Sequence, residues 1–369
     1  METTEKFELT ISINDVNHTI HHNNMLYTFL KQRIYGQDDA ILAIMNQLEI
    51  SASGLGSDVK PVGSFLFMGP TGVGKTELAK ELASGLKYHF VRFDMSEFMD
   101  ERSVSNLIGS ARGLVGSEEG GLLTNAISKH PHCVLLLDEI EKADTKVLHL
   151  LLQVFDYGQL KDTQGRKVDF KNTIIILTSN VGATEKATVG FHSNNHSNRL
   201  KALENLLSPE MLSRIDHVIH FNSLNQPMME EIVKKFLATI QYKLFKKKII
   251  MTYNSRILDF LADCGLQQQQ GARGVSKMID THILLPLSQI LSKQKPSKES
   301  EIHIDYKEGA FSFTLSCSKT AVSNHEPKDG LWFECWEEAC VYAMENIGAV
   351  VVRSNDGHGF IIKDKMVKI

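Results

Sequence analysis

The stretch GPTGVGKT, residues 69–76, decides the expected fold because it matches the pattern Gly-x-x-x-x-Gly-Lys-Ser/Thr. It lies between the apolar run GSFLFMG, residues 63–69, and the helical pattern TELAKELASGL, residues 76–86. A strand, a glycine-rich loop and a helix in this order cradle phosphates. The glycines let backbone N–H groups point at the phosphates, and the helix N-terminus adds positive potential. The stretch predicts a nucleotide-binding site.

Every residue of this loop is predicted to contact the nucleotide. Lys75 would reach the β- and γ-phosphates, and the hydroxyl of Thr76 would bind Mg²⁺. ATP and Mg²⁺ are therefore the expected cofactors. The predicted contacts are Gly69, Pro70, Thr71, Gly72, Val73, Gly74, Lys75 and Thr76.

A second apolar run, VLLLDE at residues 134–139, ends in two carboxylates. Asp138 is expected to hold the Mg²⁺ shell, and Glu139 to polarise the water that attacks the γ-phosphate. The presence of Glu139 favours ATP hydrolysis over binding alone. The alternative is an acidic pair at the surface end of a strand.

Three further polar residues complete the predicted catalytic set. Asn180 ends the run TIIILTSN, residues 173–180, where it would orient the attacking water or sense the γ-phosphate. A strand-terminal Asn is also a common turn former. Arg214 and Arg273 could supply the positive charge that phosphoryl transfer gains from a partner subunit or a closing lid. From spacing alone, a surface position is the more common role of such arginines.

The alternation of apolar runs and helical patterns predicts an α/β fold from residue 30 to residue 222. HFVRFDM, residues 89–95, and CVLLLDE, residues 133–139, join the two runs already described as near-continuous apolar segments. Such segments are typical of parallel strands buried on both faces, and the helical patterns between them indicate a doubly wound sheet.

Outside this region, the sequence predicts a smaller helical subdomain over residues 223–319, a tail over residues 320–369 and a polar lead-in over residues 1–29. EIHIDYKEGAFSFTLS indicates a hairpin turning near residues 307–309. In the short α+β tail, DGLWFECWEEACVYAMENI predicts an amphipathic helix and GAVVVRSNDGHGFIIKD a hairpin turning at residues 355–357. The tail could recruit a partner or substrate, or cap the helical subdomain.

Composition limits the partners and the compartment. The net charge is −4 and the sequence pI is about 6.4, so nothing draws the whole chain toward nucleic acid or an anionic membrane. No apolar run approaches the roughly 18 residues of a membrane span. Five cysteines without a CxxC pair fit a reducing cytoplasm. His18, His21 and His22 could bind a metal or form an exposed turn.

From about residue 30 to residue 318 the sequence resembles the second ATPase module of the Clp unfoldases, which are AAA+ proteins, and ClpA above all. The resemblance is carried by KPVGSFLFMGPTGVGKTELAKELA, FDMSEFMDE, GGLLTNAISKHPHCVLLLDEIEKAD, LLQVFDYGQLKDTQGRKVDFKNT, SPEMLSRID and GARG. It implies the AAA+ fold, a P-loop α/β subdomain followed by a smaller helical lid. It also implies a homo-oligomeric ring, usually a hexamer, with ATP at the subunit interfaces.

The resemblance also assigns roles to individual residues. Arg214 would be the arginine finger supplied to the neighbouring subunit, and Arg273 the second sensor of the nucleotide. Ile34 and Tyr35, in RIYGQ, would flank the adenine base. Ordinary core packing is the alternative for Ile34 and Tyr35.

The glycine-rich stretch GSARGLVGSEEGG, residues 109–121, corresponds to a loop that lines the central pore in the family. The predicted pore residues are Arg112, Leu114 and Val115. Leu114 stands where the family has tyrosine, and a leucine lacks the broad contact area and hydrogen-bonding tip of that side chain. Residues 157–167 correspond to a second pore loop.

In ATVGFHS, residues 187–193, Val189, Gly190 and Phe191 stand where protease-coupled Clp ATPases carry a docking tripeptide. An exposed aliphatic-Gly-aromatic tip would fit a cleft of a ClpP-type peptidase ring. The alternative is a loop that folds back onto the body.

Two functions from different classes fit these observations. The first is an ATP-driven motor that unfolds or remodels protein substrates and delivers them to a ClpP-type peptidase, without being a protease itself. The second is a nucleotide-gated scaffold that binds a dedicated partner through its tail. Val189–Phe191 favours the first, while Leu114 favours the second. A nucleic-acid motor is disfavoured because the chain has no basic aromatic patch.

Overall fold

The computed structural model of this chain describes residues 25–109, 120–181, 207–267, 270–294, 300–317, 331–333, 350–353 and 360–363. The chain divides into two units, Met1–Asn225 and Gln226–Ile369. The first unit contains the predicted phosphate loop, and the described part of the second unit contains helices and two small sheets. No helix in these ranges combines the length and apolar character that a membrane crossing requires.

A five-stranded parallel sheet with the order β2-β3-β6-β1-β7 forms the centre of the first unit. The predicted α/β fold is therefore confirmed. A short antiparallel pair, β4 and β5, lies outside this sheet. The strands are β1 (Gly63–Met68), β2 (His89–Asp94), β3 (Cys133–Asp138), β4 (Gln159–Lys161), β5 (Lys167–Asp169), β6 (Thr173–Ser179) and β7 (His217–His220).

Strands β1, β3 and β6 are buried along their whole length, as their apolar runs predict. Successive side chains of a strand point to opposite faces, so two apolar layers form. Leu66 and Leu135 belong to one layer, and Phe65 and Val134 to the other. Both faces of the sheet therefore contribute to the core.

Two strands differ from the expectation. In β2 only Val91 is buried, so the prediction of burial on both faces was wrong for this run. The reason is its position at the sheet edge, where Arg92 and Asp94 alternate with apolar residues. Strand β7 was not predicted, because HVIH is short and its two apolar residues are flanked by histidines.

Helices flank the sheet and connect its parallel strands, as this topology requires. Local sequence fixes several of their ends. Asp100 forms a capping box with Ser103, and the Asp144 side chain accepts from the N–H of Lys146 at the next helix. The helices are α1 (Met25–Lys31), α2 (Asp38–Ala52), α3 (Lys75–Leu86), α4 (Glu101–Ile108), α5 (Leu122–Lys129), α6 (Thr145–Tyr157) and α7 (Pro209–Leu212).

The carboxyl ends of the parallel strands meet along one edge of the sheet. Gly69 follows β1, Glu139 follows β3, Asn180 follows β6 and Phe221 follows β7. In open α/β sheets, ligands bind outside this edge. The fold thus places the predicted nucleotide residues beside one another, although they are far apart in sequence.

The second unit begins with four helices and a three-stranded sheet of order β10-β9-β8. The predicted hairpin is present, since β9 and β10 pair antiparallel with Lys307 opposite Ala310. Met229, Val233 and Leu237 are buried at four-residue spacing along the first helix. The elements are α8 (Gln226–Phe245), β8 (Ile249–Tyr253), α9 (Arg256–Gln267), α10 (Ala272–Ile279), α11 (Leu285–Gln294), β9 (Ser300–Lys307) and β10 (Ala310–Cys317).

The tail contains a second small sheet of order β11-β13-β12, formed by Leu331–Phe333, Phe360–Lys363 and Val350–Arg353 respectively. The pairing of Val350–Arg353 with Phe360–Lys363 is that of the predicted hairpin. The prediction of a helix beginning near residue 330 was wrong at its start, because Leu331–Phe333 is a strand paired with Phe360–Ile362. Its apolar residues also suit a strand that has a partner to pair with.

Candidate nucleotide site

The phosphate loop connects β1 to α3 and takes backbone conformations that favour glycine. Gly69, Gly72 and Gly74 all have positive φ, with values of 142°, 78° and 106°. Gly74 directly precedes α3 in the left-handed region, which strains residues that carry a Cβ atom. α3 begins directly after this loop, and a helix N-terminus favours an anion at that place.

The ammonium of Lys75 joins this loop to the end of β6. Lys75 is buried, and its Nζ donates to the carbonyl oxygens of Gly69 at 2.5 Å and Pro70 at 2.8 Å. It also donates to Oδ1 of Asn180 at 2.9 Å. The predicted phosphate-binding lysine and the predicted γ-phosphate sensor are thus in direct contact.

Asp138 is the most constrained carboxylate of the site. Its Oδ2 accepts from Arg92 through Nε at 3.1 Å and Nη2 at 2.8 Å, and lies 3.5 Å from Oγ1 of Thr76. Its Oδ1 accepts from the hydroxyl of Thr178. The carboxylate of Asp138 and the hydroxyl of Thr76 are hard oxygen donors of the kind that Mg²⁺ prefers. The guanidinium of Arg92 is a cation that already pairs with this carboxylate. The oxygen atoms of Asp138 and Thr76 therefore fit a metal ion.

Glu139 occupies an unusual backbone position at the end of β3. Its φ is 57°, which few residues other than glycine adopt. Its N–H donates to Oγ1 of Thr178 at 3.1 Å, while its carboxylate pairs with Lys142 and raises the pKa of that ammonium. Such strain is typical of functional sites. The hydroxyl of Thr178 is therefore hydrogen-bonded to both Asp138 and Glu139.

The segment predicted to bind adenine, which contains Ile34 and Tyr35, packs against the phosphate loop and is hydrogen-bonded to it. Ile34 is buried in the same apolar cluster as Val73, and Tyr35 is half-buried. Gln37 makes the polar connection. Its Nε2 donates to the carbonyl oxygens of Asn222 at 3.0 Å and Val73 at 3.4 Å, and its Oε1 accepts from the N–H of Asn222 at 2.9 Å.

Sequence reasoning missed three residues of this site: Gln37, Arg92 and Thr178. Each carries a sequence feature that could have drawn attention to it. Gln37 follows Gly36 in the quoted RIYGQ, and Arg92 and Thr178 are polar residues inside otherwise apolar strands. Thr178 lies in a buried strand and needs a hydrogen-bond partner, whereas Arg92 is exposed on the edge strand; Asp138 accepts hydrogen bonds from both.

Arg214 lies away from the phosphate loop of its own chain. Its Nε donates to Oδ1 of Asp156 at 2.7 Å, and its carbonyl oxygen accepts from Oγ of Ser64 at 3.4 Å. Ser64 is at the beginning of β1, whereas Gly69 follows its end. At roughly 3.3 Å per strand residue the two edges are about 16 Å apart.

The other predicted residues are distributed as follows. Arg273 is exposed on α10 of the second unit. The pore residues Arg112, Leu114 and Val115, the docking residues Val189, Gly190 and Phe191, and His18, His21 and His22 lie outside the described residues. Among the side chains that are described, no group of three or more His, Cys, Asp or Glu could hold a metal ion.

The residue before the first predicted pore-loop stretch is hydrogen-bonded to the second predicted stretch. The N–H of Thr163 donates to the carbonyl oxygen of Ile108 at 3.3 Å. The buried Asp162 organises the turn that follows, accepting from Nε of Arg166 at 2.6 Å and from its N–H at 2.8 Å. A Cβ atom on Gly121 would lie 2.2 Å from the carbonyl oxygen of Leu107, so only glycine fits there.

Two family profiles match the chain, one after the other. The profile described as an AAA domain of the Cdc48 subfamily matches residues 60–218. The profile described as the C-terminal D2-small domain of the ClpB protein matches residues 224–304. The first match lies within the first structural unit, and the second match begins two residues before the second unit and ends in β9.

Several known proteins are similar to the chain over three quarters of its length. A ClpA homolog protein from Fuscovulum blasticum is 41% identical over 284 residues, which is 76% of this chain and 36% of that protein. The chaperone protein ClpB from Bdellovibrio bacteriovorus is 42% identical over 279 residues, and that from Lactiplantibacillus plantarum 41% over 285. Each match covers 33% of the ClpB chain. The chain thus spans about a third of the length of these relatives.

The parallel sheet, the phosphate loop and the acidic strand end define a P-loop ATPase of the AAA+ class. Within that class, the chain belongs to the Clp family. The resemblance seen in the sequence is therefore confirmed.

Proposed function

We propose that the chain hydrolyses Mg²⁺-bound ATP and uses the energy to unfold or remodel protein substrates, without being a protease itself. The observation that carries this proposal is the convergence of Lys75, Asn180, Thr76 and Asp138 at one sheet edge. These are the groups that phosphoryl transfer needs around a nucleotide, since catalysis there is mainly positioning and charge stabilisation.

Each of these residues has a defined part in hydrolysis. Lys75 would pair with the phosphates, and Thr76 and Asp138 would hold Mg²⁺, whose charge would stabilise negative charge on the phosphate oxygens. Glu139 accepts a proton from the attacking water. The side chain of Asn180 accepts a hydrogen bond from the ammonium of Lys75 and orients it. The backbone of Asn180 is held in turn, because its N–H donates to Oε1 of Glu141 at 3.1 Å.

The subunits assemble into a ring, which we propose to be a homohexamer. The position of Arg214 at the far edge of the sheet supports this assembly, because from there it serves the nucleotide of a neighbour better than its own. In the single chain, the carboxylates of Asp156 and Glu210 pair with the guanidinium of Arg214. Arg273 acts as the second sensor, and Ile34 and Tyr35 flank the adenine.

Protein substrates are proposed on the basis of the relatives, two of which are named as chaperones. Leu114, with Arg112 and Val115, contacts the polypeptide in the pore. Delivery to a ClpP-type peptidase through Val189–Gly190–Phe191 is a finer proposal, supported by that tripeptide and by similarity to a ClpA homolog. We also propose a cytoplasmic location for the chain, because the cytoplasm is a reducing compartment.

The direct test uses Glu139→Gln in the full chain. The variant should bind ATP as tightly as the wild type, because the amide keeps the shape of the side chain, and should hydrolyse it at least about 100-fold more slowly. A fluorescent nucleotide analogue measures binding and phosphate release measures turnover. Undiminished turnover would remove Glu139 from the mechanism, and absence of nucleotide binding by the wild type would refute the whole proposal.

A further inference from the structure

The guanidinium of Arg92 lies between two carboxylates on adjacent strands. Its Nη2 is 2.8 Å from Oδ2 of Asp138 and 3.7 Å from Oδ2 of Asp94. We propose that Arg92 is a positioning residue with two positions: it neutralises Asp138 in the metal-free chain, and it moves to Asp94 when Asp138 takes up Mg²⁺. This inference rests on the proposed role of Asp138 as a Mg²⁺ ligand.

Arg92 and a metal ion would compete for one oxygen atom of Asp138. Oδ1 of Asp138 is held by the hydroxyl of Thr178, so Oδ2 is the atom left to face Thr76. Both hydrogen bonds from Arg92 to Asp138 go to that same Oδ2. A guanidinium hydrogen-bonded to a carboxylate oxygen blocks the lone pairs that a metal needs, and its charge repels the metal.

Asp94 is placed to pair with the guanidinium of Arg92 when it leaves Asp138. Arg92 and Asp94 are two residues apart on β2, so their side chains share one side of the strand. The register pairs Asp94 with Asp138, which puts the two carboxylates level on neighbouring strands. Oδ1 of Asp94 is fixed by the N–H of Ser96 at 3.0 Å and its hydroxyl at 2.6 Å. Oδ2 is thereby turned toward Arg92.

Asp138 and Arg92 differ in burial. The side chain of Asp138 is 9% exposed, and that of Arg92 is 44% exposed. A buried carboxylate without a cation is costly, so Asp138 needs a partner both before and after metal binding. Arg92 is exposed enough to move, and its two contacts differ by less than one ångström in length. The arrangement therefore gives Asp138 a cation in both states.

Two substitutions should change metal affinity in opposite directions. Arg92→Gln removes the competing charge and should tighten Mn²⁺ binding by about tenfold, the size expected for one charge-assisted hydrogen bond. Asp94→Asn removes the second position and should weaken Mn²⁺ binding, because Arg92 then stays on Asp138. Asparagine keeps the oxygen that caps the turn at Ser96, so the fold is retained. The double variant should behave as Arg92→Gln alone.

The measurement is Mn²⁺ affinity by electron paramagnetic resonance, with full-length protein saturated with ADP. Arg256→Gln, which loses the same charge from an exposed position in the second unit, serves as the matched control. Weaker or unchanged binding in Arg92→Gln, or unchanged binding in Asp94→Asn, would overturn the inference. If the wild type binds no fluorescent ADP analogue, the proposed function itself fails, and that outcome is seen before any metal is added.

Discussion

The ammonium of Lys75 lies 2.9 Å from Oδ1 of Asn180, although 105 positions separate the two residues in the chain. The contact exists because β1 and β6 are neighbours in the sheet and end at the same edge. Asn180 is held in turn by Glu141. With its backbone N–H held by Glu141, Asn180 can orient Lys75 through a neutral side chain that contributes no net charge.

Asn180→Ala should separate binding from hydrolysis. The variant should bind ADP within a few-fold of the wild type, because the loop and the N-terminus of α3 are unchanged. Turnover of ATP should fall by about 100-fold, the usual cost of losing one preorganised polar group at a transition state. Calorimetry gives the affinity and phosphate release the rate. Asn254→Ala, in the second unit, is the control and should leave both unchanged.

Mixing two inactive variants tests whether Arg214 acts on a neighbour. A subunit with Arg214→Ala keeps Glu139 and its own nucleotide site but lacks the arginine finger. A subunit with Glu139→Gln keeps the arginine finger but cannot hydrolyse ATP at its own site. A random mixture of equal parts should regain about a quarter of wild-type turnover per interface, because head-to-tail contacts then pair intact sites with intact fingers. Turnover is measured across mixing ratios. If every mixture stays inactive, Arg214 serves its own subunit.

Gln37 is expected to support both stability and nucleotide binding. Gln37→Ala removes a buried side chain together with its hydrogen bonds to the N–H and carbonyl oxygen of Asn222, and should lower the free energy of unfolding by about 2 kcal/mol. It should also weaken ADP binding, since Gln37 contacts the carbonyl of Val73 in the phosphate loop. Urea unfolding and calorimetry measure the two effects. Gln47→Ala, which loses a hydrogen bond to Val62 outside the loop, should affect stability alone.

The sequence predicts the three buried strands, the loop between β1 and α3 and the acidic end of β3, because each depends on a local pattern. It does not predict β7, whose four residues become a strand only by pairing with β1. The contacts of Arg92 and Gln37 are likewise missed. Both depend on which strands are adjacent, and a single sequence does not state strand order.

Asp162 should make the stability of the first unit depend on pH. Burial raises its pKa, but hydrogen bonds and charge from Arg166 outweigh burial and leave the pKa below its usual value. The stabilisation is therefore complete above the unfolded value of about 3.9 and is lost as the pH falls through the lower folded value. Asp162→Asn should destabilise the protein at pH 7, and by less at pH 3. Equal losses in urea unfolding at both values would contradict this.

The most direct test of the account is unfolding of a tagged fluorescent protein by the wild type, by Glu139→Gln and by Leu114→Tyr. The account predicts ATP-dependent loss of fluorescence with the wild type, none with Glu139→Gln, and a faster loss with Leu114→Tyr, because tyrosine grips a polypeptide more firmly than leucine. A peptidase of the ClpP type should make the loss irreversible. ATP turnover without loss of fluorescence in any of the three proteins would contradict the motor and favour a nucleotide-gated scaffold.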